Sequence, residues 1–128
     1  MNQITDKVNT GTIGELLVQA RLLQYGVQAA PPIKDSGNDL IAVKGATFRA
    51  VSVRSTVNYS YKKPRGQALY HVLAVVKLVF VGREVLLDRS RVFLISRDEV
   101  ESAPSSCRKL DEYLISEERV TQLFGQSC

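Results

Sequence analysis

Three residues of this 128-residue chain have types and spacing suited to phosphate chemistry. Asp39 heads the apolar run Leu40-Ile41-Ala42-Val43, and Ser52 and Arg54 lie two apart within Phe48–Arg54. Strand side chains alternate with period two, so Ser52 and Arg54 project from one face. A carboxylate can hold a divalent cation, and a positive group can place a water or neutralise a phosphate. The cation stabilises the charge that grows on a phosphodiester under attack. Glu15 is a further carboxylate near the start of a helix that can lie against this hairpin, and Gln19 shares its helical face.

The elements that must position these groups are legible as patterns. Ile13, Leu16, Leu17, Ala20 and Leu23 recur at helical spacing and predict a helix over 12–25. Thr12 is its expected N-cap, Thr12-x-x-Glu15 a capping box, and Gly26 the residue just past the last turn. Val27–Ala30 is a short strand stopped by Pro31-Pro32, and the turn cluster Asp35-Ser36-Gly37-Asn38 precedes a strand at Asp39–Val43. The connection Lys44-Gly45-Ala46 predicts an antiparallel hairpin with Phe48–Arg54. Tyr70–Val81 is one long β-branched strand and Val92–Ile95 another. Ser96 is expected to cap a short helix through Val100, and Ser116 a C-terminal helix at Glu117–Phe124, whose first turn is acidic as the helix dipole favours. No repeat or linker divides the chain, so a single domain spanning 1–128 is expected, an α/β sandwich built on a mixed sheet.

Composition excludes several classes. A hydrophobic fraction of 45% with 23% charged residues is that of an ordinary globular domain, not a disordered chain. The longest apolar run, Val72–Val81, is about half of the ~20 residues a membrane helix needs. The start Met1-Asn2-Gln3-Ile4-Thr5-Asp6 has no secretory character. Cys107 and Cys128 have no nearby His partners and are too few for a disulfide scaffold, so free thiols in a cytoplasmic protein are expected. The net charge of +4 is unevenly spread: Lys44–Arg91 carries ten Lys/Arg against Glu84 and Asp88, between two acidic flanks. A basic centre of this kind suits a phosphate-binding face, because Lys and Arg displace condensed counterions from a nucleic-acid backbone. A merely solvated basic surface would read the same way.

The motifs Gly11-Thr12-Ile13-Gly14-Glu15-Leu16-Leu17-Val18, Gly37-Asn38-Asp39-Leu40-Ile41 and Val51-Ser52-Val53-Arg54-Ser55-Thr56 follow one another in an order that resembles the PD-(D/E)XK nuclease superfamily. Tyr70–Val75 and Val92–Ser96 resemble later strands of its Holliday-junction-resolvase and cyanobacterial homing-endonuclease branches. The resemblance covers roughly 11–100. It implies a restriction-endonuclease-like mixed β-sheet flanked by helices, DNA as partner, Mg²⁺ or Mn²⁺ as cofactor, and a homodimer or larger homo-oligomer. It also implies Asp39, Ser52 and Arg54 as the catalytic positions, with Glu15 and Asp39 at the metal.

Two of these positions depart from the family. Ser52 stands where a Glu, Asp or Gln is usual, and a neutral hydroxyl is a weak metal ligand. Arg54 stands where a Lys is usual, and its guanidinium stays protonated, so it cannot act as a base. It can still neutralise a phosphate or orient a water. The loop containing Tyr59, Tyr61, Lys62, Lys63 and Arg65 mixes rings with cations, as loops that stack on bases and clamp phosphates do.

Each feature has a plainer reading. Asp39 could close a turn, Glu15 could serve only its capping box, and Ser52 and Arg54 could be ordinary strand residues. The loop could be solvated with two packed tyrosines, and His71 could be structural. Three functions therefore stand open: a divergent metal-dependent endonuclease, an inactive DNA-binding module, and a protein-interaction domain using the acidic C-terminal stretch.

Overall fold

The structure is a computed structural model that describes residues 6–34, 37–58, 60–61, 63–64, 68–102 and 110–125, with side chains of the first helix from residue 10 onward. Its elements in chain order are α1 (Asp6–Gln24), β1 (Gln28–Ala30), β2 (Leu40–Lys44), β3 (Thr47–Thr56), β4 (Val72–Lys77), β5 (Phe80–Val81), β6 (Glu84–Val85), β7 (Arg91–Ser96), α2 (Arg97–Ser102), a 3₁₀ turn at Leu110–Tyr113, and α3 (Glu117–Phe124). Five strands form a mixed sheet in the order β1-β2-β3-β4-β7, in which only β3 and β4 run parallel. A parallel pair needs a crossover, and here residues 57–71 provide it.

Each face of the sheet buries its own core. Leu17, Val18 and Leu22 of α1 and Val120 and Phe124 of α3 pack on Val51, Val53, Val72, Ala74, Val76, Val92 and Leu94. On the opposite face Val100 of α2 and Leu110 join Tyr70, Leu73, Val75, Phe93 and Ile95, with Tyr61, Ala68 and Tyr113 packed at the margin. The mixed α/β sandwich predicted from the alternating patterns is therefore the fold observed. β4 and β7, covered on both sides, carry continuous apolar runs for the same reason.

The first helix differs from its prediction in two ways. It begins at Asp6, six residues before Thr12, so Thr12 is exposed inside the helix and does not cap it. The buried stripe is Gly14, Leu17, Val18 and Leu22, whereas Leu16 and Leu23, members of the helical-spacing pattern, are 58% and 62% exposed. Two adjacent rows of this helix are apolar, and docking selects the one in which Gly14 permits close approach to β3. The end of α1 is as expected. Gly26 has φ +80, Val27 N–H donates to Leu22 O (3.0 Å) and Gly26 N–H to Leu23 O (3.1 Å), the Schellman pattern.

The long apolar run also divides. β4 ends at Lys77, and Phe80-Val81 pairs instead with Glu84-Val85 in a separate hairpin. The predicted hairpin of β2 and β3 is present, registered from Leu40–Val51 to Lys44–Thr47. Ser96 caps α2: its Oγ accepts Glu99 N–H (3.1 Å) while Glu99 Oε1 accepts Ser96 N–H (2.8 Å), a reciprocal capping box. Ser116 caps α3 by accepting Arg119 N–H (3.0 Å). Cys107 and Cys128 lie outside the described residues.

Candidate functional site

Asp39 sits just beyond the last registered pair of the β2–β3 ladder. Its N–H donates to Val51 O (2.9 Å) and its Oδ2 accepts Val53 N–H (2.7 Å). The two bonds bracket Ser52 on the backbone of β3, so the Asp39 side chain takes over where the main-chain ladder stops. Asp39 thus extends the β2–β3 pairing through its side chain, to a residue fourteen positions away.

Ser52 is fully buried and pairs in register with Leu73 of β4. It therefore faces the α2 side of the sheet, among the cluster of Tyr70, Leu73 and Val75. Arg54, two residues on and on the same face, is half-buried; its Nη1 donates to Val53 O (3.1 Å) and lies 3.5 Å from Ser52 Oγ, at the long limit of a hydrogen bond. Burial pushes the Tyr70 hydroxyl up, and the neighbouring positive charges of Arg97 and Arg54 act in the opposite sense.

Glu15 comes from the other side. α1 packs against the face that carries Val51, Val53 and Ser55, because a Cβ on Gly14 would reach Ser55 Oγ at 1.9 Å and Val76 Cβ at 3.8 Å. Glu15 is half-buried next to Gly14, and the sheet stands between α1 and the side chains of Ser52 and Arg54. Among the described residues no three His, Cys, Asp or Glu side chains come together in a group that could hold a metal ion.

Of the aromatic and basic loop, Tyr59, Lys62 and Arg65 lie outside the described residues. Tyr61 is packed against the Tyr70 cluster, and Lys63 is half-buried beside the buried Pro64. His71 is structural, as one reading of the sequence had it: its Nδ1 accepts Ala50 N–H (2.8 Å) and its own N–H donates to Ala50 O (2.8 Å).

Sequence reasoning counted Lys77 and Arg91 as basic residues but did not place them. Register does. Arg54 pairs with Val75, Thr56 with Lys77, and Lys77 with Arg91. Since Val75 and Phe93 belong to the α2-side core, Arg54, Lys77 and Arg91 all project from that one face, at one end of three adjacent strands. Like charges directly opposite on neighbouring strands repel. Arg91 takes no part in the Arg97–Glu101 or Arg119–Glu99 ion pairs. No signal short of the strand register could have joined these three cations.

The chain is similar in fold to a bacterial homing endonuclease, I-Ssp6803I, at a TM-score of 0.66 and 18% sequence identity, covering 93% of this chain and 91% of that one. No protein-family model matches the chain, and no curated protein matches it. The shared fold is a nuclease-like mixed sheet flanked by helices. No helix among the described residues is long and apolar enough to cross a membrane.

Proposed function

We propose that this chain is a DNA-binding protein of the PD-(D/E)XK type whose basic sheet face binds the phosphate backbone without hydrolysing it. The observation that carries the reading is the alignment of Arg54, Lys77 and Arg91 on one face of β3, β4 and β7. Lys and Arg gathered on one face of rigid strands make a positive surface that a polyanionic backbone complements. The likeness to a homing endonuclease and the order of the sequence motifs support the same partner.

The residues around Asp39 do not fit a Mg²⁺ or Mn²⁺ centre. Such ions take several oxygen ligands, carboxylates first among them. One oxygen of Asp39 already serves the backbone, Ser52 offers a sealed neutral hydroxyl, and the Arg54 guanidinium adds a positive charge beside it. Arg54 can hold a phosphate but cannot deprotonate water. The competing reading is a divergent endonuclease with Asp39 and Glu15 at the metal, acting as a homodimer because duplex cleavage needs two sites.

One experiment separates the two. Purified protein is incubated with supercoiled plasmid and with branched DNA in Mg²⁺ and in Mn²⁺, beside an Asp39→Asn variant, and binding is followed in parallel by gel shift. Salt-sensitive binding with intact plasmid is the expected result. Cleavage that Asp39→Asn removes would establish the endonuclease instead. Neither binding nor cleavage at low salt would leave the fold without a nucleic-acid role.

A further inference from the structure

The face that carries Ser52 and Arg54 continues toward the β2–β3 turn through Ala50 and Phe48, and there it opens into a cleft of about 600 Å³. We infer that this cleft receives a single unpaired nucleotide of DNA, an inference that rests on the DNA-binding reading above and gives it a structural preference. Its volume falls within the ~300–1,000 Å³ span of small-ligand sites, the scale of one nucleotide and not of a duplex.

The chemistry of the walls selects this occupant. Phe48 and Leu69 line the cleft and are 62% and 60% exposed, so their apolar surfaces stand in water. A base turned out of its stack has an apolar π-face to lay against Phe48, and such stacking tolerates any base. Asn38 also lines the cleft and is only 7% exposed; its Nδ2 donates to Leu40 O (3.3 Å), which leaves Oδ1 to accept from an exocyclic amine. His71 also lines the cleft, its Nδ1 held by Ala50 N–H.

Among the described residues the charged side chains that line the cleft are cations. Lys34 is exposed at the cleft, and Arg97 stands as a fixed cation, held by Ala68 O (2.7 Å), by Glu101 (2.9 Å) and over the Tyr70 ring (4.6 Å). No Asp or Glu occurs among the described residues that line it. Phe48 and Arg54 are six residues apart on one strand, about 20 Å at ~3.3 Å per residue. A DNA strand whose phosphates cross the Arg54 end can therefore place a nearby nucleotide at Phe48.

Fluorescence anisotropy would compare a duplex bearing a one-nucleotide bulge, the fully paired duplex of the same sequence, and a deoxynucleoside monophosphate. We expect the bulged duplex to bind roughly ten-fold tighter than the paired one, the factor that one base–aromatic stack carries. Phe48→Ala should abolish that preference while leaving the paired duplex bound as before. Circular dichroism would verify that this surface variant stays folded, and 5-iodouracil placed at the bulge should crosslink to Phe48. Equal affinity for bulged and paired duplexes overturns the inference and leaves the DNA-binding reading intact. Loss of all binding at low salt removes both. A monophosphate bound as tightly as the bulged duplex would make the cleft a free-nucleotide site and overturn the DNA inference.

Discussion

Gly14 of α1 lies so close to Ser55 of β3 that a Cβ on the glycine would sit 1.9 Å from the serine Oγ and 3.2 Å from its Cβ. Ser55 Oγ is itself buried and has no hydrogen-bond partner. Helix and sheet thus meet at a contact made by a missing side chain on one side and an unsatisfied hydroxyl on the other. The closeness lets Leu17, Val18 and Leu22 reach the sheet, and it leaves Leu16 and Leu23 facing out.

Gly14→Ala is accordingly expected to destabilise the fold by about 1–3 kcal/mol through overpacking. Ser55→Ala alone should be neutral or stabilising by up to about 1 kcal/mol, since it removes a buried group that makes no bond. Ser55→Gly should recover part of the Gly14→Ala loss. Urea unfolding of the four proteins in a double-mutant cycle checks this, and strict additivity of Gly14→Ala with Ser55→Gly would contradict the contact.

Arg91→Thr tests the basic face. The change should weaken DNA binding and lower the slope of log affinity against log salt by about 1. A variant that binds DNA with an unchanged salt slope would refute the phosphate-binding role.

Asp39 separates structure from chemistry by the choice of substitution. Asp39→Asn keeps an oxygen to accept Val53 N–H and should retain most of the stability. Asp39→Ala leaves that N–H without its acceptor and should cost about 1–3 kcal/mol. Thermal unfolding of the pair reads the difference, and equal melting temperatures for the two would show that the bond seen at 2.7 Å contributes nothing.

Glu99 provides a pH dependence. Burial opposes its ionisation and is the largest single influence. The Arg119 hydrogen bond, the N–H and hydroxyl of Ser96 and the Arg119 charge together outweigh it and hold the carboxyl below its usual range. A carboxylate whose folded value is lowered contributes stability above its unfolded value, and that stability is lost as pH falls through the lowered folded value. Unfolding free energy should therefore decline on the acid side of the ordinary glutamate range, and Glu99→Gln should flatten that limb. An unchanged acid limb in the variant would show that other carboxylates govern it.

Much of the architecture was legible in the residues because it depends on local chemistry. Ser96 and Ser116 cap the helices they were expected to cap, since a hydroxyl at that position satisfies N–H groups within its own turn. Gly26 ends α1 because a positive φ is required there. Lys44-Gly45-Ala46 turns β2 into β3 within two loop residues. Period-two alternation puts Ser52 and Arg54 on one face, as their register with Leu73 and Val75 does.

Other features are not encoded in hydrophobic periodicity. Thr12 and Glu15 spell a capping box, yet the helix runs on upstream of them. Tyr70–Val81 reads as one strand, but its last residues turn back at Gly82, where φ is positive, and pair with Glu84-Val85.

The sequence by itself determined the kinds of element, their order, the hairpin and the residues able to contact a phosphate, because each follows from side-chain period, capping or turn chemistry within a few residues. Only the tertiary structure decided which row of α1 is buried, that Asp39 serves the backbone of β3, that Glu15 comes from the opposite face to Arg54, and that Arg54, Lys77 and Arg91 share one face at one end of three adjacent strands. These are matters of strand register and layer packing, set by contacts between residues far apart along the chain.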